Sequence, residues 1–221
     1  MSDGDASAGR PEKEYVRFPS REARSRWVAT RFRPYLGPAV LDVGCCEAPL
    51  RALLTGVAYT GVDVAGDPDL RLDLARCERL PFADGAFPCV LCIEVLEHLE
   101  NLHAMFDELV RVAARHVVVS LPNCWRDARR PIERGAGSFA HYGLPLDPPA
   151  DRHRWFFGIT AARAFLLDRA ARHGLRVVEL LATEPPRPWP VRALRRLRYP
   201  GERYENRYAQ TVWAVYAKDG G

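Results

Sequence analysis

Apolar and polar positions along this chain fall into blocks that switch between two periods. Short apolar runs of the kind that form buried strands stand at 39–43, 58–63, 70–73, 89–93 and 116–121. Between and around them the period lengthens. Leu102, Met105, Phe106, Leu109 and Val110 recur at three and four residues, which predicts a helix over 102–115. Mixed apolar and basic residues at helical spacing predict another over 21–32, punctuated by Gly37-Pro38. A third helix over 160–173 stops at Gly174, and further strands follow at 175–182 and 210–217. Strands alternating with helical stretches imply a parallel sheet with right-handed crossovers. The segment from Pro122 to Asp151 reads as a long irregular loop rich in Gly, Pro and Arg, of the kind that serves as a lid.

One pair of positions gives this pattern a chemical meaning. The strand at 39–43 ends in Gly44, and the strand at 58–63 ends in Asp63, nineteen residues later. A glycine turn after one strand and a carboxylate at the end of the next is the nucleotide-site arrangement of doubly wound folds, in which the acid meets ribose hydroxyls. The residues after Gly44 are Cys45, Cys46, Glu47 and Ala48. They lack the further glycines that let backbone amides close on a pyrophosphate, and Glu47 would repel one. A nucleoside without phosphates meets neither objection, and S-adenosylmethionine (SAM) is such a ligand.

Composition narrows the picture further. The 221 residues, 48% hydrophobic and 27% charged, suit one soluble domain. No apolar stretch reaches the roughly 20 residues that span a bilayer. Residues 1–14 are polar and read as a disordered tail rather than a signal, leaving 15–221 as the domain, with insertions at about 122–157 and 184–207. The net charge of +4 rests on arginine, since Lys13 and Lys218 are the only lysines. That skew resembles a coding bias and is not taken as a nucleic-acid signature. Cys89 and Cys92 lie on one strand and should point to opposite faces, which suits neither a redox pair nor a zinc site. Six cysteines without disulfide spacing fit buried thiols in a cytoplasmic protein.

Two more landmarks complete a resemblance. Leu80-Pro81-Phe82 precedes the fourth strand, and Glu94-Val95-Leu96-Glu97-His98 follows it. With Val40-Leu41-Asp42-Val43-Gly44 and Asp63, this order resembles the class I SAM-dependent methyltransferases, most nearly the small-molecule subgroup of the ubiquinone and menaquinone pathways. The resemblance covers about 38–182. It implies a Rossmann-like, seven-stranded doubly wound α/β sheet, mostly parallel, with the last strand antiparallel. It implies SAM as cofactor and a small-molecule methyl acceptor as partner, with no nucleic acid. Asp42, Gly44, Cys45 and Cys46 would form the turn at the methionine end. Asp63 would hold the ribose, Asp73 and Leu74 would meet the adenine, and Glu94 would line the pocket. The family carries glycine where Cys46 and Ala48 stand, so this turn departs from its pattern.

For the chemistry, a hydroxyl acceptor needs a base near neutral pH, and histidine suits that role. His98, just after the fourth strand, and His153, amid Trp155, Phe156 and Phe157, are the expected catalytic residues. Glu94, Glu97, His98 and His153 together also resemble the metal site of small-RNA 3′-terminal 2′-O-methyltransferases, which keeps a ribose-methylating alternative open. A chain that has lost SAM and serves as an interaction module is a further alternative. The basic segment from Arg187 to Arg198, with Trp189 and Leu194, would suit an anionic substrate or a peripheral membrane contact. A solvated insertion is its plainer reading.

Overall fold

The computed structural model of the chain describes residues 11–138, 141–149 and 151–218. In chain order the elements are β1 (Glu12–Tyr15), α1 (Arg21–Arg31), α2 (Arg33–Leu36), β2 (Ala39–Val43), β3 (Ala58–Asp63), β4 (Leu70–Arg71) and β5 (Phe87–Ile93). A 3₁₀ turn at Leu96–His98 leads to α3 (Leu102–Val112), β6 (Ala113–Pro122), α4 (Cys124–Arg134) and α5 (Ile159–Arg172). Then come β7 (Leu175–Glu184), α6 (Trp189–Arg198), α7 (Glu202–Tyr208) and β8 (Thr211–Lys218). All strands join one sheet in the order β1-β7-β8-β6-β5-β2-β3-β4. The last strand, β8, runs antiparallel to both its neighbours, β6 and β7, while the other pairings are parallel.

Strand alternation sorts the core into two layers. Leu41, Val43, Val90, Cys92, Val117 and Val119 face α3 and α5. Val40, Cys89, Leu91, Val118, Trp213 and Val215 face α1 and α2, where Val28, Phe32 and Leu36 are buried. Cys89 and Cys92 therefore fall in opposite layers, as the two-residue period requires. Ser20 opens α1 by accepting a hydrogen bond from the Ala23 amide (3.2 Å). That helix lays Trp27 against Trp213, with ring centroids 4.9 Å apart.

Four expectations change. Among the described residues the sheet has eight strands rather than seven, because Glu12–Tyr15 pair in parallel with Leu181–Glu184. Residues 1–10 of the expected tail lie outside the described residues, and Glu12 to Glu14 are ordered. The Glu14 carboxylate accepts from Trp27 Nε1 (3.1 Å) and Arg31 Nε (3.2 Å), so an acid that reads as solvated is held by α1. The links from β2 through β5 contain turns and no helix, so α1 and α2 cover that face instead. Finally, the 122–151 segment opens with α4. Asn123 caps it by accepting from the Arg126 amide (3.2 Å) and ties it to the end of α7 by donating to the Asn206 and Ala209 carbonyls (2.9 and 2.8 Å). Its arginines and Pro131 hid it from a periodicity argument.

Candidate cofactor and acceptor site

The parallel strands end at one edge of the sheet, and the Gly44 turn stands there. Gly44 has φ +84°, and a Cβ on it would lie 2.2 Å from Val95 Cγ2. Only glycine fits. Cys46 and Ala48 take φ of +50° and +48°. They therefore keep the left-handed backbone that the family builds from glycine, while carrying side chains. The Asp63 carboxylate holds this loop: Oδ2 accepts from the Cys46 amide (2.8 Å) and Oδ1 from the Ala65 amide (3.0 Å).

A cavity of about 500 Å³ opens over this edge. It is large enough for a nucleoside-sized ligand. All the cofactor residues expected from the sequence line it: Asp42, Gly44, Cys45, Cys46, Asp63, Asp73, Leu74 and Glu94. Asp42 is buried beneath the turn, where Tyr59 donates to its Oδ2 (2.6 Å). Burial pushes its pKa up to about 6. Asp73 accepts from the Ala75 amide (3.0 Å), which fixes the turn after β4. Glu94 follows β5 directly, with φ +53°. Its carboxylate is bound by Arg24 of α1 and accepts from Thr211 Oγ1 (2.8 Å).

His98 reaches the cavity from the 3₁₀ turn, and its Nδ1 lies 2.6 Å from Asp151 Oδ1. Burial lowers its pKa, and the Asp151 charge opposes that shift. His153 does not line the cavity. Its ring packs edge-on against His98 at 4.5 Å, and its Nδ1 is 2.9 Å from the Tyr142 hydroxyl. Burial, with His98 and His141 nearby, takes its pKa down to about 3, so this imidazole stays neutral. His141 stacks on His153 at 4.5 Å, and the ring nitrogens of His98, His141 and His153 lie within 4.8 Å of one another.

That grouping departs from the metal set the resemblance implies. Glu94 is engaged by Arg24 and Thr211 rather than by the histidines. Glu97 is buried with Oε2 unpartnered, and its Oε1 is 3.8 Å from His98 Nε2. Burial and then Glu94 raise its pKa well above the usual range, which favours the neutral acid. The donors brought together are three imidazoles, a set that fits a divalent transition ion. His141 carried no signal in the sequence. Nor did Arg24, because the charge it meets is 70 residues away. Asp151 stands two positions before His153, yet nothing in the spacing ties it to His98.

Comparisons with known proteins agree with the fold. Residues 41–120 match the family model described as a methyltransferase domain. No curated protein matches the chain. Among solved structures, the methyltransferase domain of a bacterial Hen1 (CtHen1-C) aligns at 19% identity and TM-score 0.59, covering 90% of this chain and 98% of that one. The small RNA methyltransferase HEN1 aligns at 16% identity and TM-score 0.61, covering 94% of this chain but 26% of that one. A SAM-dependent methyltransferase from Mesorhizobium loti aligns at 15% identity and TM-score 0.53, covering 88% and 98%. Residues 41–120 thus match a methyltransferase domain, and the chain as a whole has the fold of solved SAM-dependent methyltransferases.

Proposed function

We propose that the protein methylates a hydroxyl oxygen of a small-molecule acceptor, with His98 as the base. The observation that carries this reading is the His98–Asp151 pair on the cavity wall. Bound SAM supplies an electrophilic methyl on a sulfonium, so the chain's task is to align an acceptor oxygen and remove its proton. Asp151 accepts from Nδ1–H and leaves Nε2 as the basic nitrogen. Burial keeps the ring neutral near pH 7, the form a base needs. His153 backs His98 and fixes its ring plane. The Gly44 turn and Asp42 would take the amino-acid end of the cofactor, and Asp63 its ribose. Arg152 and Arg154 on the cavity wall suit an acceptor with anionic or strongly polar groups.

Transfer of labelled methyl from SAM to a panel of phenolic and aliphatic hydroxyl compounds tests the reading. His98→Gln should keep SAM affinity and lose transfer. Wild-type turnover in that variant, or methylation confined to nitrogen or carbon acceptors, would sink it.

A second reading, methylation of an RNA ribose with a divalent ion, draws on the three-histidine grouping and on the two Hen1 neighbours. It requires RNA binding that weakens steeply with salt. It also requires turnover that a chelator abolishes. Undiminished turnover with chelator removes the metal from the mechanism.

A further inference from the structure

Helix α6 sits with the wrong side out for a helix in water. Successive residues turn by about 100° around an α-helix, so Trp189, Pro190, Ala193, Leu194 and Leu197 share one arc of about 140°. That arc faces solvent: Trp189, Leu194 and Leu197 are 71%, 67% and 82% exposed, and no residue of the helix is buried. The arginines of the opposite side face the body of the protein. Arg192 stacks over Tyr15 at 4.1 Å and Arg195 over Tyr208 at 4.3 Å, while Arg196 donates to the Tyr15 hydroxyl (2.9 Å). These contacts are specific and hold the helix in this orientation. Turning it over would cover the apolar arc and give the arginines to water, the arrangement the hydrophobic effect favours. The sequence reading of this segment as a solvated insertion does not account for a helix fixed with its apolar face outward.

What covers the face follows from the charges around it. Arg198 borders the apolar arc, and Arg187, just before the helix, and Arg203, just after it in the chain, are exposed as well. Between Pro185 and Arg203 the only acid is Glu202, and Arg163 already pairs with it (2.9 Å). A second copy docking symmetrically on this face would set those arginines against their own counterparts. An anionic lipid surface has the complementary charge and an apolar interior for the Trp and Leu side chains. The position of the helix is consistent with such a role. Tyr15 and Glu184 stand at the carboxyl ends of β1 and β7, so α6 lies on the edge of the sheet that carries the cavity.

We propose that α6 docks the protein on anionic membrane surfaces, with Trp189, Leu194 and Leu197 entering the interface and the exposed Arg187 and Arg198 meeting lipid headgroups. The inference stands apart from the identity of the acceptor, since no residue of α6 lines the cavity. Co-sedimentation of the full chain with vesicles tests it, using phosphatidylcholine alone or mixed with phosphatidylglycerol. The wild type should pellet with the mixed vesicles and be released as salt is raised. Leu194→Glu and Leu197→Glu should each weaken that binding by roughly tenfold or more, the loss expected for one apolar side chain withdrawn from the interface. The Arg187→Glu, Arg198→Glu double variant should lose the preference for phosphatidylglycerol. All four positions are exposed, and unchanged melting temperature and SAM affinity would confirm that each variant is folded. The proposal fails if the wild type stays in the supernatant with both vesicle types, or if the variants pellet as well as the wild type. It also fails if sedimentation velocity finds a dimer that Leu194→Glu disperses while vesicles bind nothing.

Discussion

Replacing Cys46 with glycine should stabilise the protein, which is rare for a substitution inside a ligand site. Cys46 holds φ +50° and Ala48 φ +48°. A left-handed conformation costs a residue with a Cβ about 1–2 kcal/mol relative to glycine. Glycine also widens the unfolded ensemble, which returns about 0.4–1 kcal/mol. The net gain is about 0.5–1 kcal/mol at each position, or a rise of about 1–4 °C in melting temperature for a chain of this size. Cys46→Gly, Ala48→Gly should raise it further, by at most about twice that shift, because two positions in one turn are coupled. Differential scanning fluorimetry of the apo protein reads it, and calorimetry should find SAM affinity equal or better. Gly44→Ala is the opposing control. Its Cβ would sit 2.2 Å from Val95 Cγ2 at φ +84°, so stability and SAM binding should both fall. A melting temperature that drops by more than about 2 °C in Cys46→Gly would refute the strain argument. A drop in SAM affinity at constant melting temperature would mean that the thiol itself contacts the ligand.

Asp42 gives a pH signature. Its folded pKa, near 6, lies above the ordinary value of 3.8, so the native state binds the extra proton and stability falls as pH rises between those values. Asp42→Asn should flatten that slope and raise apo stability at neutral pH by up to about 3 kcal/mol, read from melting temperature across pH. SAM is cationic and prefers the carboxylate, so its affinity for the wild type should weaken below about pH 6; calorimetry finding no change from pH 5 to 8 would contradict the assignment. His98→Gln should lower kcat by about 10²- to 10⁴-fold at unchanged SAM affinity. The acid limb of kcat should fall below the ordinary histidine value, since burial disfavours the charged ring. Asp151→Asn removes the opposing charge and should move that limb to still lower pH. Asp63→Asn puts an NH₂ against the Cys46 or Ala65 amide, so it should lower both the melting temperature and, by about tenfold or more, SAM affinity.

What the sequence disclosed and what it hid divide along a physical line. Gly44, Asp63, Asp73 and Glu94 are legible because each stands at or just past the end of a strand, and in a parallel sheet all such ends meet at one edge. The two faces of Cys89 and Cys92 follow from the same period. The features that escaped are polar contacts between residues far apart in the chain: Arg24 with Glu94, Asp151 with His98, Glu14 with Trp27 and Arg31. An ion pair leaves no periodicity, and a tail or loop that carries its members reads as solvent-exposed. The same blindness applies to α6, whose sequence contains an amphipathic helix but not its orientation. Which face turns inward is decided by Tyr15, Tyr204 and Tyr208, which stack with its arginines from elements before and after it. Glu94 shows the same limit inside the site. Sequence spacing groups it with Glu97 and His98, but its backbone at φ +53° and its bond to Arg24 turn its carboxylate toward α1. Helix α1 therefore does more than cover a sheet face left open by the helix-free links. Through Arg24 it neutralises the acid that follows β5, and with Glu94 so engaged the residue proposed as the base on the cavity wall is His98.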